Sequence, residues 1–169
     1  LRDYGVIMNT TGYAAKSQDS QLTEFSFERR DLRDNDVEIE ILYCGVCHTD
    51  FHAVLNDWGG SKYPLVPGHE IVGKVMSVGS DVTKYKQGDT VAVGCMVDSC
   101  KSCDQCDNNE EQLCRKGMVG TYGGKDRISG EMTQGGYSKH VVVREEFVLS
   151  VPRSLELSRV APLLCAGIT

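Results

Sequence analysis

Apolar and polar positions alternate along Val37-Glu38-Ile39-Glu40-Ile41, the period of two expected of a strand with one buried face. Phe25 and Phe27 alternate with polar neighbours in the same way. Further β-rich runs at residues 71–78, 90–93, 137–143 and 147–151 are separated by turn signals such as Gly79-Ser80 and Gln87-Gly88-Asp89. Several short strands with frequent turns predict a mainly β fold with short helices around a barrel-like core. Two segments leave that period. Residues 48–56 follow the Cys44-Gly45-Val46-Cys47 strand end, where Thr49 or Asp50 can cap a short helix that carries Thr49 and His52 on one face. Residues 158–169 carry Val160, Leu163, Leu164 and Ile168 at near-helical spacing behind Ser158 as an N-cap, with Pro162 opposing the helix. The Gly-rich, polar stretch 117–136 reads as a long exposed loop.

A chain of 169 residues with 40% hydrophobic content suffices for one domain. Residues 1–11 are set aside as a leader or tag-like segment, the part before Met8 being left out of the fold. No apolar run approaches a membrane span and no secretory signal is visible, so the expectation is a cytoplasmic protein without membrane contact. A formal charge of −6 and the absence of a Lys/Arg cluster argue against nucleic acid as a partner. Charge and length say nothing about chemistry; the cysteines do.

Eight cysteines without a signal segment favour metal binding over a disulfide framework, although their even number keeps the latter in view. Cys100, Cys103, Cys106 and Cys114 form C-x2-C-x2-C-x7-C in one loop. Four thiolates so close can complete a tetrahedron around Zn²⁺, leaving no position for chemistry. Cys47, His69 and Cys165 offer only three ligands, the pattern of a zinc that keeps a fourth position open. Their spacing alone proves nothing. Each also reads as an ordinary residue: a small core cysteine, a turn histidine, a small helix cysteine.

Local strings add to this. Tyr43-Cys44-Gly45-Val46-Cys47-His48-Thr49-Asp50, Pro67-Gly68-His69-Glu70, Trp58, Cys95 with Asp98-Ser99-Cys100, and Ala161-Pro162-Leu163-Leu164-Cys165-Ala166-Gly167-Ile168-Thr169 resemble the zinc-dependent medium-chain alcohol dehydrogenases, in their cinnamyl alcohol dehydrogenase and bacterial aldehyde reductase branch. The match runs from about Gly12 to the last residue. It implies a GroES-like barrel over residues 12–153 and the start of a helical inter-domain connection over 154–169. Cys47, His69 and Cys165 become catalytic zinc ligands, with Glu70 a transient one and Asp50 the partner that orients His69. A second, structural zinc falls to the four-cysteine loop.

The same resemblance makes Thr49 and His52 a proton relay running through the cofactor ribose, His48 a contact of the cofactor pyrophosphate, and Thr169 a neighbour of the nicotinamide. Trp58 and Met96 match substrate-pocket positions. The chemistry suits these types: a hydroxyl accepts and donates a proton at once, and imidazole ordinarily titrates near neutrality. The resemblance implies hydride transfer between a primary alcohol, aromatic ones included, or its aldehyde and NADP(H) in preference to NAD(H), in a full-length homo-oligomer. The residue that would choose between the two nucleotides lies beyond Thr169.

No G-x-G-x-x-G fingerprint occurs, so the expectation is a catalytic domain without its Rossmann partner, inactive alone. Cys44 and Cys95 read as small packing residues, Cys95 continuing the phase of Val91 and Val93. Cys44-Gly-Val-Cys47 is formally C-x2-C, but the βαβ setting of a thiol redox motif is missing. A non-catalytic zinc-stabilised binding or assembly module remains the alternative from another class.

Overall fold

The structure is a computed structural model and describes residues 8–168. Its centre is a five-stranded antiparallel sheet in the order β8-β3-β4-β5-β9. The strands are β3 (Asp36–Cys44), β4 (Ile71–Val78), β5 (Thr90–Val93), β8 (His140–Arg144) and β9 (Leu149–Ser150). Alternation decides the inner face: Val37, Ile39, Ile71, Val75, Val91, Val93, Val141, Val143 and Val148 form one buried cluster. Each such side chain contributes about 1.5–3 kcal/mol on burial. Cys44 packs against this cluster, as expected of a small apolar residue.

The opposite parity of β4 and β5 builds a second, smaller cluster. Val72 and Ala92 pack with Val151, Val160 and Ala161, with Leu157 and Leu164 against them. This contact docks the C-terminal segment, and with it Cys165, onto the sheet. The segment itself differs from the expected helix. A helix spans only Leu157–Val160, capped by Glu156 rather than Ser158, and Ala161–Leu164 tightens into a 3₁₀ turn with Pro162 near its start. Proline lacks the amide an α-helix interior needs, so the helix stops there.

A two-stranded ribbon, β1 (Met8–Ala14) with β2 (Thr23–Arg29), continues the sheet beyond β8. Its seam runs through Tyr13 N to Tyr137 O at 2.8 Å and Lys139 N to Thr11 O at 2.9 Å. Because β1 starts at Met8, residues 8–11 belong to the fold and not to a leader; residues 1–7 lie outside the described residues. The remaining strands, β6 (Met96–Asp98) and β7 (Val119–Gly120), pair at the base of the four-cysteine lobe.

Two more expectations are corrected. The run 147–151 gives a strand only at Leu149–Ser150, because Glu145–Phe147 forms a 3₁₀ turn whose buried Glu145 carboxylate accepts the Thr83 and Lys84 amides at 2.9 and 3.1 Å. The stretch 117–136 is not an open loop throughout. It contains β7, the Thr133 amide donates to the Gly124 carbonyl, the Gly123 amide donates to the Thr133 carbonyl and the Gly124 amide to the Thr133 hydroxyl, while Val119 and Thr121 are buried.

Candidate metal centres

The first centre is organised by α1 (His48–Leu55). Its N-cap is Cys47, in extended backbone conformation, and not Thr49 or Asp50. Cysteine can hold that place because Asp50, at the third helical position, reaches back to accept the Cys47 amide at 3.0 Å. At the other end Asn56, with φ 56°, turns the chain out of the helix.

Asp50 is buried, and its carboxylate is fully used. Oδ1 accepts the Gly68 amide at 2.9 Å and faces His69 Nδ1 at 2.9 Å, while Oδ2 also receives the Tyr137 hydroxyl at 3.2 Å. Burial pushes its pKa up, but His69 and the two amides outweigh that and hold it below the usual carboxylate value. One ring nitrogen of His69 is therefore committed to Asp50, leaving the other for the thiols of Cys95 and Cys165. Burial alone would lower the His69 pKa; the Asp50 hydrogen bond and those thiols instead push it up to about 12.

Cys47, His69, Glu70 and Cys165 bring one donor atom each to within 4.8 Å of one another. Cys47 and Cys165, 118 positions apart, have sulfurs 3.7 Å apart. A regular tetrahedron with Zn–S bonds of about 2.3 Å has an edge of about 3.8 Å, so these residues fit a zinc ion. Burial pushes the Cys165 thiol up to about 11, with Cys47 and Cys95 adding to the rise. Cys47 moves the other way, since the Thr49 hydroxyl and amide outweigh its burial. Cys47 is thus the readier thiolate.

The second centre lies at the tip of the lobe. Cys100, Cys103, Cys106 and Cys114 have their sulfurs within 4.8 Å of one another, Cys100 to Cys106 at 3.8 Å and Cys103 to Cys106 at 3.6 Å. These too match tetrahedral edges, and none of the eight cysteines is in a disulfide. Hydrogen bonds from Ser102 bring the Cys100 thiol down to about 6. Lys101 and Asn109 adopt φ of 50° and 60° to fold the chain around the cluster. Ion pairs Lys101–Glu111 at 2.6 Å and Arg115–Asp104 at 2.5 Å fasten its rim.

The first centre opens on a hollow. A cavity of about 350 Å³ is lined by Thr49, Trp58, His69, Cys95, Tyr122 and Cys165 among others. Met96, expected at the pocket, does not line it; Cys95 does. Cys95 is exposed rather than packed in the core, because β5 ends at Val93 and strand parity does not carry across Gly94. His52 stands outside this hollow, stacked on His48 at 4.7 Å and bonded to Asp57 at 2.7 Å. His48 is exposed on the outer side of α1, and Thr169 lies outside the described residues. Tyr137 and Gly68 were not anticipated as supports of Asp50. An aromatic residue near a strand start carries no mark of such a role.

Residues 33–153 match the family described as the alcohol dehydrogenase GroES-like domain, so the chain belongs to that family. Within it, the chain falls in the zinc-dependent medium-chain group with the cinnamyl alcohol dehydrogenase branch. It is 54% identical to a probable cinnamyl alcohol dehydrogenase 8B of Oryza sativa subsp. japonica, over 94% of this chain and 36% of that protein. A cinnamyl alcohol dehydrogenase structure from Sorghum bicolor superposes with a TM-score of 0.93 at 48% identity, covering 96% of this chain and 46% of that one. A second, the enzyme of the same branch from Helicobacter pylori complexed with NADP(H), gives 0.93 at 44% identity, covering 97% and 47%. The chain spans less than half the length of these relatives.

Proposed function

We propose that this chain is the catalytic domain of a zinc-dependent alcohol dehydrogenase or aldehyde reductase, moving hydride between a primary alcohol, aromatic ones included, or its aldehyde and NADP(H). The observation that carries the reading is the meeting of Cys47, His69 and Cys165 beside an open hollow, with His69 fixed by Asp50. NADP(H) is preferred to NAD(H) on the strength of the Helicobacter pylori relative. Cytoplasmic location, homo-oligomeric assembly of the full-length protein, and a catalytic domain followed by an inter-domain connection from residue 154 belong to the same proposal. No helix among the described residues is long and apolar enough to cross a membrane.

Cys47, His69 and Cys165 would hold one Zn²⁺, and Cys100, Cys103, Cys106 and Cys114 a second. Zn²⁺ at the first centre would supply Lewis acidity toward the oxygen of an alcohol or aldehyde. Asp50 keeps His69 in the tautomer that presents its free nitrogen to the metal. The Thr49 hydroxyl, on the lining of the hollow, takes the alcohol proton and hands it outward. His52, with its Nδ1 side held by Asp57, would be the outer group of that relay once the cofactor is bound. His48, exposed on the same outer face, would help hold the cofactor pyrophosphate. Trp58 gives an aromatic alcohol a flat surface to lie against.

The test is a metal count on the full-length protein. Two zinc ions per chain are expected, one lost in Cys47→Ser together with alcohol-dependent NADP⁺ reduction, the other lost in Cys103→Ser. A single ion insensitive to Cys47 would instead make the domain a zinc-stabilised assembly module.

A further inference from the structure

Glu70 is the acid of the first centre that lacks a proper partner. It is 1% exposed, its Oε2 has no hydrogen-bond partner among the described residues, and its Oε1 receives only a long contact from the Ala166 amide at 3.5 Å. A buried carboxylate so poorly bonded is costly unless a cation stands nearby. Its donor oxygen lies within 4.8 Å of the donors of Cys47, His69 and Cys165.

The wall behind this carboxylate is Gly45. A Cβ on Gly45 would fall 2.1 Å from Glu70 Oε2, 3.0 Å from its Cβ and 3.1 Å from its Cδ. The backbone does not ask for glycine here, since Gly45 is not among the residues with positive φ. The three atoms nearest the missing side chain all belong to Glu70. The Gly45 amide also donates to the Glu70 carbonyl at 2.9 Å, which fixes the two residues against each other. The empty space at position 45 therefore serves one side chain.

We infer that Gly45 is a positioning residue: it reserves the place where the Glu70 carboxylate rests back from the metal, so that the open coordination position stays available to the substrate oxygen. The inference rests on the reading of Cys47, His69 and Cys165 as zinc ligands. A methyl group at position 45 takes that place away. Glu70 then turns onto the metal as an added oxygen donor, a role carboxylates fill readily on zinc.

Cobalt(II) in place of zinc in the full-length protein reports its donors by visible absorption. The four-cysteine centre contributes the same bands to every variant, so difference spectra isolate the first centre. Gly45→Ala is expected to change the spectrum and to abolish its response to added imidazole, an external ligand that needs the open position. Gly45→Ala with Glu70→Ala is expected to regain that response. An unchanged Gly45→Ala spectrum, or a double variant that behaves like the single one, overturns the inference. If Gly45→Ala does not fold, the double variant should, because it removes the 2.1 Å clash with the Glu70 carboxylate and leaves only the 3.0 Å approach to the residue 70 Cβ; its failure to fold overturns the inference equally. Parent protein with no cobalt at the first centre overturns the zinc reading itself, a result distinct from bound cobalt that ignores position 45.

Discussion

The two cysteine-bearing centres share donor chemistry and donor spacing, with sulfurs 3.6 to 3.8 Å apart in one and 3.7 Å in the other. They differ in how much of the molecule each needs. The lobe cluster is made by residues 100–114, one short helix and a 3₁₀ turn. The other draws on the start of α1, the residues just before β4 and a segment held by a separate small core, with Cys47 and Cys165 118 positions apart. A local site folds its own loop and uses every donor for that purpose. A site assembled from distant elements inherits its geometry from the fold, and it can leave one side open without coming apart.

The largest test of this contrast removes a lobe ligand. Cys106→Ser should release one metal ion and unfold the lobe, since structural zinc supplies on the order of 10 kcal/mol of binding free energy to such loops. Thermal unfolding of the zinc-loaded protein measures the loss. Cys47→Ser should cost far less stability, because the sheet does not depend on that ion. Equal destabilisation by the two substitutions would break the comparison.

Asp50→Asn sharpens it. The amide still fills the space but holds His69 less firmly, so metal affinity at the first centre should fall about 10- to 100-fold with the lobe ion unaffected. Competition with a chelator, followed ion by ion, reads both centres in one experiment.

A smaller effect is expected where lobe and sheet join. Asp126 pairs with Arg33 at 2.8 Å, and Asp98, just before the first lobe cysteine, pairs with Arg144 at 3.0 Å. Burial pushes the Asp126 pKa up, yet Arg33 and the Ser129 and Ile128 amides hold it well below the ordinary carboxylate range. A depressed folded-state pKa stabilises the protein above the unfolded value of about 3.9, and that contribution is lost as pH falls through the folded one. Asp126→Asn should therefore cost about 1–3 kcal/mol at neutral pH. Denaturant titrations should find the gap between wild type and variant closing at acid pH.

The smallest effect belongs to Cys95→Ser. An exposed thiol outside the core should change stability by no more than about 0.5 kcal/mol. A loss of several kcal/mol would restore the packing role that strand parity suggested.

Legibility in the sequence followed the same division. β3, β4 and β5 were readable because large aliphatic residues mark their inner faces. β1 was not, because its buried positions are Thr10 and Ala14 beside Gly12, residues with no strong hydropathy to alternate. The four-cysteine motif was visible as a string. For Cys47, His69 and Cys165 only resemblance joined what spacing left apart, and the supports from Tyr137 and Gly68 depend on a loop path that no local pattern encodes. Pro162 and the Glu145 turn moved element ends for reasons that lie in single residues.

The start of α1 carries the Cys47 thiol of the first cluster, the Thr49 hydroxyl on the lining of the hollow and the Asp50 carboxylate that meets His69. The three lie within four residues of one helix start, so none can be shifted without carrying the others along. Reshaping this hollow must therefore leave that helix start where it is and work from Trp58, Cys95 and Tyr122.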